Sequence, residues 1–220
     1  GPRRTELRVN DVIIERHRTG EDLTAALRRD VREGLSAPQK WLPATWFYDA
    51  RGSELFEQIT ALPEYYPTRA EREVLLRESP AIAAATGART LVELGAGSSE
   101  KTRALLDALR SAGTLTGFVP QDVSASALTE AAEAIAADYP DLVVHGVVGD
   151  FTVNLGELPG TSPRLVAFLG GTIGNFPPAE RAAFLRSVRE VLKPGEWLLL
   201  GTDLVKDPAT LVAAYDDARG

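Results

Sequence analysis

Residues 91–102, LVELGAGSSEKT, pass from an apolar run through a glycine-rich turn into a polar, helix-forming segment. That is the pattern of a buried strand feeding a helix through a tight turn, and the downstream sequence repeats it. The spacing predicts strands at 90–95, 117–122, 142–148, 164–170 and 196–202, separated by helices at 99–112, 124–138 and 178–192, with no helix between the third and fourth strands. Strands alternating with helices imply right-handed crossovers and a mostly parallel sheet in an α/β fold. Upstream the pattern is helical, with helices expected near 21–35, 53–62 and 68–85. The chain therefore divides into an N-terminal extension (1–20), a helical part (21–88) and an α/β part (89–220), which ends in DPATLVAAYDDARG, the start of a further helix.

Composition narrows the function classes. The 220 residues carry 24 Lys and Arg against 31 Asp and Glu, a net charge of −7, so a nucleic-acid partner, which needs clustered basic residues, is not expected. No apolar run reaches the ~20 residues that span a bilayer, so no membrane partner is expected either. There is no Cys, which excludes disulfides and thiolate chemistry, and two His, His17 and His145, are too few for a multi-histidine metal site. His145, in LVVHGVVGD, reads as a core or strand-edge residue. The initial Gly1-Pro2 has the look of a cleavage scar, no signal peptide comes after it, and the cytoplasm is the expected compartment.

In an open parallel sheet a ligand lies beyond the carboxyl ends of the strands. Gly95 and Gly97 let the backbone approach it, and Ser98 and Ser99 can cap a helix starting near Glu100. An acid at that place favours the helix dipole but repels a pyrophosphate, which suits S-adenosylmethionine better than a dinucleotide. Asp122 closes the second strand, where a carboxylate can accept both ribose hydroxyls. Asp150 closes the third beside Phe151, which can pack on adenine. Either acid also reads as an ordinary helix cap. After the fourth strand, FLGGTIGNFPP offers Asn175 as donor and acceptor where a reacting group would lie, or as a stabiliser of its own loop. Phe176 separates that asparagine from the prolines, unlike the motif of enzymes that methylate nucleic-acid bases.

Five ordered motifs, WFYDARGSELFEQIT, LPEYYPTRAE, LVELGAGSSEKT, FLGGTIGNF and GTDLVKD, closely resemble the histidine Nα-methyltransferases of ergothioneine biosynthesis, from about residue 20 to the end. The resemblance implies a Rossmann-like class I methyltransferase domain at 89–220, lacking its final strands, after a helical segment of the substrate domain. It implies S-adenosylmethionine as cofactor and three methyl transfers to the α-amino group of L-histidine, giving hercynine. Cofactor contacts are implied from Tyr48, Gly95, Lys101, Asp122, Asp150 and Phe151, joining Gly97 and Ser98 of the turn. Tyr65, Asn175 and Tyr215 are implied to surround the amino and carboxylate ends of the substrate, with Tyr65 and Asn175 closest to the chemistry. Read from the residues alone, Tyr48, Tyr65 and Tyr66 are packing aromatics. The family continues beyond the end of this chain and supplies there the groups that read the imidazole. The alternatives are a related enzyme acting on a tryptophan derivative, an inactive cofactor-binding fragment, and an oxidoreductase on the same layout. The last strand, in EWLLLGTDLV, is expected to be an exposed apolar edge through which the chain self-associates.

Overall fold

Thr90–Leu94 is buried at every position, so this strand has neighbours on both edges and layers on both faces. The computed structural model describes residues 5–9, 12–17, 20–155 and 158–217, and places it at the centre of a seven-stranded sheet. In chain order the strands are β1 (Thr5–Val9), β2 (Val12–Arg16), β3 (Thr90–Leu94), β4 (Gly117–Asp122), β5 (Val143–Val148), β6 (Arg164–Phe168) and β7 (Trp197–Leu200). In space they run β1-β2-β5-β4-β3-β6-β7, all parallel except β1, which pairs antiparallel with β2. The order grows from β3 outward in one direction through β4 and β5, then reverses through β6 and β7. The carboxyl ends of β3 and β6 therefore flank a topological switch point.

The helices are α1 (Gly20–Ser36), α2 (Ala50–Thr60), α3 (Tyr66–Thr86), α4 (Arg103–Ser111), α5 (Ala125–Asp138), α6 (Phe151–Asn154), α7 (Pro178–Val191) and α8 (Pro208–Tyr215). Successive residues of a strand face opposite layers, which gives the sheet two cores. Leu91, Phe118, Val144 and Leu165 pack with Leu75 and Ala83 of α3, Leu105, Leu106 and Leu109 of α4, and Ala132 and Ile135 of α5. On the other face Val92, Leu94, Val119, Val147, Val166 and Phe168 pack with Phe184 and Val188 of α7.

The five expected strands are present, and the sheet has two more. Residues 1–20, read from the sequence as an extension, instead contribute β1 and β2, because two short β-prone runs can lengthen a sheet whose β5 edge is open; Val12 and Ile14 join the buried core. Residues 1–4, with the Gly-Pro pair, lie outside the described residues. The helix expected at 99–112 begins only at Arg103. No helix among the described residues is long and apolar enough to cross a membrane.

One buried ion pair fixes the far side of the sheet. At the start of β6, Arg164 donates through Nε and Nη2 to Glu196, both at 2.9 Å, and also to the carbonyls of Leu158 (3.1 Å) and Val191 (2.9 Å). Both side chains are nearly inaccessible. Hydrogen bonding from the guanidinium holds Glu196 down at about 2, against an ordinary 4.5. A depressed carboxylate stabilises the fold fully above the ordinary value, and that contribution is lost as pH falls towards the folded one. Glu196→Gln should therefore cost about 3 kcal/mol at neutral pH, since Arg164 is left buried without its counter-charge. Urea unfolding followed from pH 7 down to pH 3 should also show a shallower acid loss in the variant.

Candidate active site

The turn after β3 is built from left-handed backbone. Gly95 (φ 72°), Gly97 (φ 51°) and Ser99 (φ 53°) all sit there, and only the glycines do so without steric cost. Gly95 N and Ala96 N donate to the Gln121 carbonyl at 2.8 and 3.0 Å, which pins the turn against the end of β4. The strain at the serine is offset from below. Ser99, itself buried, donates its hydroxyl to Glu93 at 3.0 Å, and Thr102, the N-cap of α4, donates to the other Glu93 oxygen. Ser99 is thus an inward anchor rather than a helix cap, and the helix starts three residues later than Glu100. Burial pushes Glu93 up to about 7, opposed by the Thr102 and Ser99 hydroxyls.

Asp122 spans two turns at once. Its Oδ2 accepts from Gly97 N at 3.0 Å and its Oδ1 from Ser124 N at 2.9 Å. Each oxygen keeps a lone pair for a further donor, as two vicinal hydroxyls would require. The Tyr48 hydroxyl is raised by burial and by the nearby Asp122 charge. Tyr48 and Asp49 line one wall of an open cleft whose other wall is Val123, Ser124 and Ser126. Asp150 N-caps α6, accepting from Thr152 N (2.8 Å) and Thr152 Oγ1 (2.6 Å). Phe151 lies beside the turn, since a Cβ on Gly95 would stand 3.7 Å from its ring. Its ring also belongs to a cluster with Phe168, Phe176 and Phe184, so part of its role is packing.

The helical part brings a second group to the same end of the sheet. Tyr65 is buried at the start of α3, its ring edge-on to Phe56 (6.2 Å) and to Tyr215 of α8 (5.8 Å), while Phe56 meets Tyr48 (5.8 Å). Burial first, then the neighbouring Tyr215, Tyr48 and Glu71, hold the Tyr65 hydroxyl well above its ordinary range. It is a neutral hydrogen-bonding group at physiological pH. Tyr215 is otherwise exposed. Tyr66 is more than packing: its hydroxyl donates to Asp203 and accepts from Lys206 Nζ at 2.9 Å, and that ammonium lies 4.1 Å from the ring centre. These contacts dock the irregular segment 201–207 that leads into α8. Asn175 ends a 3-10 turn (Thr172–Asn175) after β6, exposed, at the same end of the sheet. Among the described residues no hydrogen bond joins it to Tyr65 or Tyr215.

Sequence reading missed Glu93, Thr102 and Glu71. Glu93 carried a signal, a lone acid inside an apolar strand, whereas Glu71 is one of several acids on an amphipathic helix. Lys101, expected at the cofactor, is paired with Glu71. Among the described residues no cluster of His, Asp and Glu could hold a metal ion.

The strand order, the left-handed glycine turn at the switch point and acids closing β4 and β5 define a Rossmann-like class I methyltransferase domain. The magnesium protoporphyrin IX methyltransferase of Synechocystis, solved with bound S-adenosylmethionine, shares this fold at a TM-score of 0.51 and 15% identity, over 79% of this chain and 83% of its own. A family profile described as histidine-specific, S-adenosylmethionine-dependent methyltransferase matches residues 27–220, and the chain belongs to that family. It is 60% identical to the histidine N-alpha-methyltransferase of Mycolicibacterium smegmatis, over 89% of this chain and 61% of that one. It is 57% identical to the protein of the same description from Mycobacterium tuberculosis, over 91% of this chain and 63% of that one. Ergothioneine biosynthesis protein 1 of Neurospora crassa is 34% identical, over 81% of this chain and 21% of its own. The chain thus spans about six tenths of the length of the first two relatives.

The residues present suit the family's cofactor: a turn without side chains at Gly95 and Gly97, a carboxylate with free lone pairs at Asp122, and an ammonium at Lys101.

Glu93 sets a pH dependence of stability. Its folded value, about 7, exceeds the ordinary 4.5, so the native state binds the extra proton and stability falls as pH rises between those values. The loss is on the order of 3 kcal/mol. Glu93→Gln, which keeps the shape without the charge, should flatten the melting temperature between pH 5 and pH 7.5; a wild-type slope persisting in the variant would refute the assignment.

Proposed function

We propose that the protein of which this chain forms part methylates the α-amino group of L-histidine three times, giving the betaine hercynine, with S-adenosylmethionine as donor. The reading rests on one observation above the others: a cofactor-type turn and a tyrosine group centred on the buried Tyr65 meet at the same end of one sheet. The 60% identity to a histidine N-alpha-methyltransferase supports the same substrate. In this reading Gly95, Gly97, Ser98, Lys101, Asp122, Asp150, Phe151 and Tyr48 hold the cofactor, and Tyr65, Asn175 and Tyr215 hold the amino acid.

Bound there, S-adenosylmethionine supplies a methyl group on a cationic sulfur, and its transfer to an amine is an in-line displacement. The protein's task is alignment and exclusion of water rather than strong acid–base chemistry. The Tyr65 hydroxyl, kept protonated by its surroundings, orients the amine lone pair. Asn175 and Tyr215 fix the substrate carboxylate, and the amine proton leaves to solvent through a water. Successive methylation builds a quaternary ammonium, which the faces of Tyr65, Tyr48 and Phe56 are suited to receive. Both reactants are soluble metabolites, so the cytoplasm is the proposed setting.

The edge of the sheet carries a second part of the proposal. On β7, Trp197 and Leu200 are exposed, and β7 pairs only with β6 among the described residues. A bare apolar edge is a template for strand pairing, so this chain by itself should self-associate. Light scattering across a wide concentration range should give a rising mass, and a constant monomer mass would end the idea.

For the reaction itself, Asn175→Ala in the full-length enzyme should raise the histidine KM by about tenfold or more, from loss of hydrogen bonds to a charged group, with a smaller effect on kcat. An unchanged KM would remove Asn175 from the substrate site. Methyl transfer to a tryptophan derivative in preference to histidine would replace the substrate.

A further inference from the structure

Glu71 lies on the second turn of α3, where nothing in its local sequence singles it out, yet three separate motifs converge on its carboxylate. Its Oε1 accepts from Gly170 N at 2.7 Å, at the carboxyl end of β6. Its Oε2 takes the ammonium of Lys101 from the turn after β3. A Cβ on Gly201, just past β7, would stand 2.3 Å from Oε1 and 3.1 Å from Leu169 Cα, so a side chain there would have to displace the carboxylate. Both charged side chains are largely buried, at 24% exposure for Lys101 and 16% for Glu71. Lys101 Nζ stands 3.8 Å from where a Gly170 Cβ would be, which places the ammonium between the ends of β3 and β6, in the switch-point crevice.

Desolvating an ion pair is costly, and such a pair is a poor source of stability; its use is in fixing a geometry. The geometry fixed here is that of a cation at the mouth of a ligand crevice. An ammonium has three donors, and Glu71 takes one, so others remain for an anionic group on a ligand. Lys101 comes directly after the glycine turn and is the cationic side chain placed to meet the carboxylate of the cofactor's aminoacyl end. A lysine on a flexible four-carbon stem would lose that aim without a partner. We infer that Glu71 is a positioning residue for the aminoacyl end of the cofactor, holding Lys101 and the β6 turn in one register. Because Tyr65 stands at the start of α3, the same carboxylate ties recognition of the cofactor's charged end to the helix that carries the substrate tyrosine. This inference rests on the cofactor reading above.

The test separates the charged end from the adenosine end. Calorimetric titrations of this chain would use S-adenosylhomocysteine and 5′-methylthioadenosine, which keeps the adenosine and sulfur but lacks the aminoacyl group. Wild type should prefer the former. Glu71→Gln, near-isosteric, should weaken S-adenosylhomocysteine by about tenfold, the scale of a lost charge-assisted contact, and leave 5′-methylthioadenosine within about twofold. Lys101→Met should do the same, and the double variant should be no worse than Lys101→Met alone, since Glu71 acts through it. Gly201→Ala, which displaces the same carboxylate without changing a charge, should lose part of the preference, and gives a second route if Glu71→Gln does not fold. Equal weakening of both ligands, full retention of the preference, or additive losses in the double variant would each overturn the assignment while leaving the cofactor reading intact. A wild-type chain that binds neither ligand would overturn the cofactor reading and this assignment with it.

Discussion

The structure depends on how β3 ends. A strand buried on both faces has to deliver its chain to the surface within a few residues, and here it does so through three left-handed residues, one of which is not glycine. The turn is held from beneath by Glu93, whose two oxygens take the Ser99 and Thr102 hydroxyls, and from the side by Asp122, which accepts from Gly97 N. A buried acid under a backbone turn is costly unless its lone pairs are filled. Filling them with the hydroxyls of the turn itself makes the shape of the loop and the satisfaction of the core one condition.

From that turn the rest of the site is reached by connectivity. Gln121 and Asp122 close β4 against it, so the acid suited to a ribose is also a strut of the glycine loop. Lys101 leaves the loop towards β6 and meets Glu71, and Glu71 carries the link into α3, at whose start Tyr65 stands. Tyr66, one residue on, holds Asp203 and Lys206 and so sets the approach of α8, whose Tyr215 closes on Tyr65. The glycine turn and the tyrosine group, the proposed cofactor and substrate sides, are therefore joined by a run of ion pairs, hydrogen bonds and ring contacts that passes through α3.

Several of these side chains have structural duties beside the roles proposed for them. Phe151 packs with Phe168, Phe176 and Phe184 while its edge reaches the Gly95 turn, and Asp150 caps α6 while it closes β5. An aromatic or an acid at such a place is neither plainly structural nor plainly functional. The intervening Phe176, which sets this loop apart from the base-methylating motif, is a member of the same ring cluster, so its place in the sequence has a packing reason.

The sequence by itself determined the parallel α/β core, the glycine turn, the acids closing β4 and β5 and the helical lead-in, because each is written in local periodicity, in glycine placement or in ordered motifs. It did not determine that residues 5–9 and 12–16 join the sheet, since short β-prone runs have the same local pattern whether or not an edge is available to pair with. Nor did it determine the start of α4 at Arg103: Ser99 has the composition of a cap, and only the buried Glu93 on the preceding strand turns its hydroxyl inward. Glu71 was beyond local reading altogether. Its partners lie 30 and 99 residues away in Lys101 and Gly170, and a contact of that kind exists only once the switch point has brought the ends of β3 and β6 together beside α3.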